Sequence, residues 1–174
     1  EIITRLPYRT VSADLNIHAR SAILVDINTG NILFEKNADE LIPPASMTKL
    51  VEMFVVFEEI NTGRISLDDI VPLPPQSWWR NLPSDASKMY IDEGHIVTLR
   101  ELLLGLSIAS GNDASIAIAN YVCSDMDTFV KRMNEVIKSI GLEKTHFVES
   151  SGYSEKNITT AREFSKFCMV YIKK

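Results

Sequence analysis

Cysteine is scarce among the 174 residues, and long apolar runs are missing. The two cysteines, Cys123 and Cys168, form no CxxC pair and have no histidine cluster beside them, which argues against a zinc site. Both fall on the apolar side of a helical pattern, so we expect buried free thiols, with a disulfide still open in an oxidising compartment. No apolar stretch approaches the roughly 18–20 residues that a transmembrane helix needs.

Positive charge is also in short supply. The formal net charge is −5 and no basic stripe runs along the chain, which argues against nucleic acid or an anionic membrane surface as partners. His18, His95 and His146 are scattered without acidic or cysteine neighbours at metal spacing, so no metal site is predicted. The chain opens at Glu1 without a signal peptide, and we expect the mature or trimmed form of a secreted precursor.

The composition is that of a soluble domain with a real core. Hydrophobic residues make up 45% and charged residues 24%, and a single domain over residues 1–174 is predicted. Two β-rich runs, residues 22–27 and 32–35, flank an Asn/Gly turn and predict a hairpin. Residues 64–97 are interpreted as loops with short elements because prolines are concentrated there.

Most of the remaining chain shows helical periodicity. Helices are predicted to begin at or just after Ser46, Thr98, Ala114, Ser124 and Thr160. Three of these starts are interpreted as capping boxes, Thr98 with Glu101, Ser124 with Asp127 and Thr160 with Glu163. The fold class is therefore α+β, an N-terminal hairpin with a largely helical body. The hairpin lacks the further strands that would finish a sheet.

The first candidate for chemistry is Ser46-Met47-Thr48-Lys49, which follows the break at Pro43-Pro44. Three residues apart on a helix, Ser46 and Lys49 lie on one face. The positive end of the helix dipole favours a developing alkoxide on Ser46, and a partly desolvated Lys49 amine can act as its base. The same spacing arises by chance about once in a chain of this length, so the pair alone does not establish catalysis.

Ser110-Gly111-Asn112, at the turn between two apolar helices, is the second candidate. The Ser110 hydroxyl can face a cleft and relay a proton, and the Asn112 amide can hold a substrate carbonyl or orient the lysine. The alternative is a plain helix–loop–helix corner, where these residue types are natural. Asp113 is interpreted as a cap of the helix that follows.

Five segments together resemble the serine D-alanyl-D-alanine carboxypeptidases, the low-molecular-mass penicillin-binding proteins, in the order that the family has them. The segments are DINTG (26–30), PASMTK (44–49), IASGNDA (108–114), GLEKTHF (141–147) and TARE (160–163). The resemblance extends from about Ala22 to Tyr171. It implies a fold of the DD-peptidase and β-lactamase type.

The resemblance also implies an acyl-enzyme mechanism on the terminal D-Ala-D-Ala of peptidoglycan stem peptides. Ser46 would attack the scissile carbonyl, with Lys49 as general base, and Ser110 would pass a proton to the leaving D-alanine. Gly111 and Asn112 would bind the substrate backbone. A β-lactam would mimic the dipeptide and leave Ser46 esterified, and no metal or cofactor is needed. Such an enzyme would work in the periplasm or elsewhere outside the cytoplasmic membrane, tethered only through a C-terminal segment that this sequence lacks.

One landmark of the family is missing. Its third motif, Lys-Thr-Gly on a strand lining the cleft, occurs nowhere, and Lys144-Thr145-His146 belongs by position to a different landmark. In the family that strand recognises the terminal carboxylate and helps to build the oxyanion hole, where losing one donor costs about 100- to 1,000-fold in rate. We therefore expect a fragment, an incomplete catalytic domain that stops at Lys174 and has impaired activity.

Two other functions stay open. A serine β-lactamase shares the Ser–Lys chemistry, but the second motif is Ser-Gly-Asn instead of Ser-Asp-Asn, and no Glu-x-x-Leu-Asn segment follows to position a deacylating water. A non-catalytic binding module is favoured by the missing third motif. A short acyl-enzyme lifetime with a β-lactam would favour the β-lactamase. The absence of any acylation would favour the binding module.

Overall fold

The structure, a computed structural model, describes residues 3–5 and 15–173. Within them the strands are β1 (Thr4–Arg5), β2 (Ala22–Val25) and β3 (Asn31–Lys36), and the helices are α1 (Thr48–Asn61), α2 (Leu99–Ile108), α3 (Asn112–Cys123), α4 (Met126–Ser139) and α5 (Ala161–Ile172). Short 3-10 turns cover Ala45–Met47, Pro75–Ser77 and Trp79–Asn81. The predicted α+β class is confirmed.

The chain divides into two compact units. The first is formed from residues 1–42, 137–145 and 158–174, and the second from residues 43–136 and 146–157. The sheet and α5 belong to the first unit, whereas α1, α2, α3 and both candidate motifs belong to the second. The single catalytic domain over residues 1–174 stays a prediction.

The predicted hairpin is present in the first unit. β2 and β3 pair antiparallel from Ala22↔Lys36 to Val25↔Ile32, with an irregularity at Leu24/Val25. The Asp26 carboxylate accepts the N–H groups of Asn28 and Thr29 at 2.8 and 3.2 Å, which holds the turn.

The expectation that no further strand accompanies the hairpin is wrong on its N-terminal side, whereas within the described residues no strand follows β3. β1 pairs in parallel with the other side of β3, so the sheet order is β1-β3-β2. The sequence could not reveal this strand, because two residues are too few to show an alternating pattern.

The core of the second unit is built where α1, α2 and α3 turn their apolar faces inward. Its fully buried members include Val51, Val55, Leu99, Leu102, Ala114, Ala117 and Ile118. The capping box that starts α2 is confirmed: Thr98 Oγ1 accepts the Glu101 N–H at 3.2 Å, and Glu101 Oε2 accepts the Thr98 N–H at 2.7 Å.

Two other predicted capping boxes are wrong. Ser124 adopts a left-handed conformation (φ +66°) as the C-cap of α3, and Asp125 instead accepts the Thr128 N–H at 2.7 Å before α4. Thr160 does cap α5 by accepting the Glu163 N–H at 3.0 Å. The Glu163 carboxylate, however, turns to residues 143–145, because three donors converge there.

Cys123 and Cys168 are free thiols and do not form the disulfide that the sequence left open. Each is half-buried, whereas full burial was expected. None of the helices in the described residues is long and apolar enough to span a bilayer.

Candidate active site

Ser46 is exposed on the 3-10 turn Ala45–Met47 that leads into α1. The residue before it, Ala45, has φ +48°, a conformation that is uncommon for residues with a Cβ atom. Gly152 (φ +81°) packs against this turn so closely that a Cβ atom there would lie 1.8 Å from the Ala45 carbonyl oxygen. The backbone that presents Ser46 is thus held from outside by a second close-packed segment.

Lys49 lies one turn further along and is only 3% exposed. Its Nζ is 2.6 Å from the Ser151 carbonyl oxygen, 2.8 Å from Asn112 Oδ1 and 3.4 Å from Ser46 Oγ. Burial lowers the pKa of the Lys49 amine, and the nearby carboxylates of Glu52, Glu149 and Asp113 oppose that change. The predicted approach of Lys49 to Ser46 is therefore present, with desolvation as the main influence on its charge.

Ser110 joins the same cluster from the turn between α2 and α3. It has φ +54°, and its Oγ donates to Ser46 Oγ at 2.9 Å. Asn112 is 7% exposed and begins α3, where its side-chain oxygen accepts from Lys49. The structure thus brings Ser46, Lys49, Ser110 and Asn112 together. Their catalytic and binding roles stay predictions.

Gly111 sits differently from the other predicted site residues. It is buried as the N-cap of α3, and a Cβ atom there would lie 2.7 Å from Asp113 Oδ1 and 3.1 Å from the Met89 backbone nitrogen. Its lack of a side chain is therefore required by packing, and its role in binding substrate stays a prediction.

Asp113 does not cap its own helix in the way that the sequence predicted. The buried carboxylate accepts the backbone N–H groups of Met89, Tyr90 and Ile91 at 2.9, 2.7 and 3.2 Å. Asp113 therefore fastens the long proline-containing segment to the start of α3, beside the Ser110 turn. Sequence reasoning could not find these partners, since they lie more than 20 positions away.

The loop of residues 146–157 supplies a contact that sequence reasoning missed. The Glu149 carboxylate accepts the N–H groups of Ser151 and Gly152, each at 2.7 Å, and the Asn157 amide at 2.8 Å. This folded loop points the Ser151 carbonyl at Lys49 Nζ. Only the compact Glu-Ser-Ser-Gly run, with its local acceptor and its glycine, signalled such a turn.

The geometry fits acyl transfer through a serine ester. Ser46 Oγ accepts from Ser110 Oγ at 2.9 Å and lies 3.4 Å from Lys49 Nζ, so a hydroxyl and an amine both stand beside the nucleophile. A hydroxyl nucleophile beside an amine of lowered pKa, with a second hydroxyl in reach, has the groups needed to move a proton from nucleophile to leaving group.

Comparisons with known proteins identify the family. The family model of the D-alanyl-D-alanine carboxypeptidases matches residues 8–174. D-alanyl-D-alanine carboxypeptidase DacF of Bacillus subtilis is 35% identical over 145 residues, which cover 83% of this chain and 36% of that protein.

Solved structures give the same family. Penicillin binding protein 5 from Haemophilus influenzae superposes with a TM-score of 0.89 at 32% identity, over 94% of this chain and 47% of that one. Penicillin-Binding Protein D2 from Listeria monocytogenes, solved in a cefotaxime-bound form, gives a TM-score of 0.82 at 26% identity, over 93% of this chain and 65% of that one.

The chain spans a little over a third of the Bacillus subtilis relative and less than half of the Haemophilus influenzae structure. The match nevertheless includes nearly all of this chain and every residue of the Ser46 cluster. The chain belongs to the D-alanyl-D-alanine carboxypeptidase family.

Proposed function

We propose that the chain carries the acylation machinery of a serine D-Ala-D-Ala carboxypeptidase that removes the terminal D-alanine from peptidoglycan stem peptides. The observation that carries the proposal is the position of Ser46 Oγ, 2.9 Å from Ser110 Oγ and 3.4 Å from Lys49 Nζ. Membership of the family supports the substrate class. Work on cell-wall peptide would put the protein outside the cytoplasmic membrane.

In the first half of the reaction Ser46 Oγ attacks the carbonyl carbon of the scissile bond while its proton moves to Lys49 Nζ. The C–N bond then breaks. The leaving amine of D-alanine takes a proton from the Ser110 hydroxyl, which is replenished from Lys49. The substrate acyl group is left as an ester of Ser46.

In the second half, water gives up a proton to Lys49 as it attacks the ester, and Ser46 regains its hydrogen. Asn112 serves both sides of the site in this scheme. Its side-chain oxygen accepts a hydrogen bond from Lys49, and its NH₂ group would donate one to a substrate carbonyl oxygen. Gly111 contributes only backbone.

A β-lactam would follow the first half of the path and stop at the ester. The cefotaxime-bound form of the Listeria monocytogenes protein supports this expectation for a structural relative. The 174 residues contain no Lys-Thr-Gly. If an oxyanion donor is missing for this reason, we expect acylation of this chain alone to be slower by about 100-fold or more.

The test is intact-mass spectrometry after incubation with penicillin, with any adduct mapped to a peptide. We expect one adduct on the peptide that contains Ser46, and none on the Ser46→Ala variant. An adduct that disappears quickly would favour a β-lactamase. No adduct on this chain, and none on a longer form that carries a Lys-Thr-Gly strand, would refute the proposal.

A further inference from the structure

A buried glutamate that the proposed mechanism does not use lies one turn after Lys49. Glu52 of α1 is 0% exposed. Ser115 Oγ donates to its Oε2 at 2.8 Å, and Ser115 Oγ is 2.6 Å from Ser150 Oγ. Glu52 Oε1 has no hydrogen-bond partner within the part of the chain that the structure describes. As a carboxylate, Glu52 would keep a full negative charge in the interior with one neutral donor.

The charged groups around Glu52 do not compensate such a charge well. Lys49 is the nearby cation, whereas Glu149 of the 146–157 loop adds negative charge, and Asp113 of α3 acts on Lys49. Burial raises the pKa of Glu52 to about 8, against the Ser115 hydrogen bond and Lys49, which act in the opposite direction. An isolated buried carboxylate prefers to take up a proton.

The contacts of Lys49 can be made by a neutral amine. Two good acceptors, the Ser151 carbonyl at 2.6 Å and Asn112 Oδ1 at 2.8 Å, match the two hydrogens of a neutral NH₂ group. The third neighbour, Ser46 Oγ, is further away at 3.4 Å and is a hydroxyl. The lone pair of a neutral amine would point at it, ready to accept the Ser46 proton.

We propose that Glu52 is a positioning residue held as a neutral carboxylic acid, and that its lack of charge leaves Lys49 a free amine. The inference rests on the proposed function, in which Lys49 is the base. Lys49 and Glu52 hold one proton between them, and the amine–acid form is the one competent for acylation. In the acid form the direction of the 2.8 Å hydrogen bond between Ser115 Oγ and Glu52 Oε2 would reverse: the acid hydrogen would donate to Ser115 Oγ, and the Ser115 hydrogen would turn to Ser150 Oγ.

The decisive variant is Glu52→Gln, which keeps the shape and is always neutral. The matched control is Glu59→Gln, a second buried glutamate on α1 that pairs with Arg64. The pKa of Lys49 is followed by NMR of lysines labelled at the ε-carbon. We expect the Lys49 pKa, measured by titration below pH 7, to agree within about half a unit among wild type and the two variants. A fall of about one unit or more in Glu52→Gln would mean that Glu52 is an anion in the wild type, and would overturn the proposal.

The pH dependence of the free energy of unfolding is an independent test of the charge of Glu52. A carboxyl with a raised folded-state pKa stabilises the fold below its unfolded pKa of about 4.5, and that stability is lost as pH rises towards 8. We expect the stability of wild type to fall relative to Glu52→Gln between pH 5 and pH 8. A relative rise would overturn the proposal, and Glu59→Gln serves as the control for replacing a buried glutamate of α1.

The third measurement is the rate of acylation by penicillin at pH 7. We expect Glu52→Gln to be acylated within about threefold of the wild-type rate, since the variant keeps the neutral form. A loss of about 100-fold with an unchanged Lys49 titration would overturn the positioning role. If neither protein is acylated, in this chain or in a longer form that carries a Lys-Thr-Gly strand, the proposed function fails, while NMR and unfolding still decide the charge of Glu52.

Discussion

Glu163 of the first unit and Glu52 of the second are both buried, yet their surroundings differ in kind. Glu163 accepts the backbone N–H groups of Glu143 and Lys144 and the Thr145 hydroxyl, at 2.6 to 3.1 Å. Glu52 has one donor, and its Oε1 has none among the described residues. The first carboxylate fastens a loop to a helix. The second is left poorly solvated next to the candidate base, which is typical of functional sites.

The largest effect that separates the two is expected from Glu163→Gln. The amide NH₂ must face either backbone N–H donors or the Thr145 hydroxyl, so acceptor positions are replaced by a clash of donors. Hydrogen bonds to a charged group contribute about 1.5–3 kcal/mol each, so we expect a loss of about 2–4 kcal/mol. Urea unfolding at pH 7 measures it.

Glu52→Gln serves as the comparison at the same pH. Its cost should be far smaller, or negative, because no donor array depends on the Glu52 charge. Equal losses for Glu52→Gln and Glu163→Gln would show that both glutamates are structural anions, and the distinction between the two regions would be wrong.

The sequence predicted the Ser46 cluster better than it predicted what supports the cluster. Ser46 and Lys49 are linked by helical geometry, which follows from their spacing alone. Ser110 and Asn112 were singled out because their hydroxyl and amide suit a cleft between two apolar helices, and because residues 108–114 resemble a motif of the family. The partner that holds Lys49, the Ser151 carbonyl, is a backbone atom and leaves no trace in residue type.

The sequence also could not show which polar side chains are buried. Glu52 stands between Val51 and Met53 in an apolar stretch of α1, but a sequence pattern does not say which side a single polar residue faces or whether its oxygens find donors. Asp113 was predicted as a helix cap because local partners are the default for such a residue. Its true partners, Met89 to Ile91, are reached only through the tertiary fold.

A middle-sized effect is expected from Gly152→Ala, which tests the support of Ser46 without changing any charge. The new Cβ would lie 1.8 Å from the Ala45 carbonyl oxygen, and φ is +81°. We expect a loss of about 1–3 kcal/mol in stability from strain and a fall of about 10- to 100-fold in acylation, because the Ser46 turn must move.

Gly63→Ala is the matched control for that substitution. Gly63 has φ +73°, but among the described residues no atom beyond its two chain neighbours lies within 4 Å of the place that an added methyl group would take, so only the backbone penalty of about 1 kcal/mol applies. Acylation by Gly63→Ala should equal wild type. If both glycine variants lose acylation alike, the effect is general destabilisation and the Gly152 contact does not position Ser46.

The smallest effect is expected from Glu101→Ala, which calibrates the Glu163 result. Thr98-x-x-Glu101 and Thr160-x-x-Glu163 have the same signature, but only Glu101 returns its carboxylate to the N-cap, accepting the Thr98 N–H at 2.7 Å. An exposed cap of this kind contributes about 0.5–1 kcal/mol. Urea unfolding should therefore place Glu101→Ala well below Glu163→Gln. If the two losses were equal, Glu163 would be worth no more than an ordinary cap, and its contacts with residues 143–145 would contribute nothing to stability.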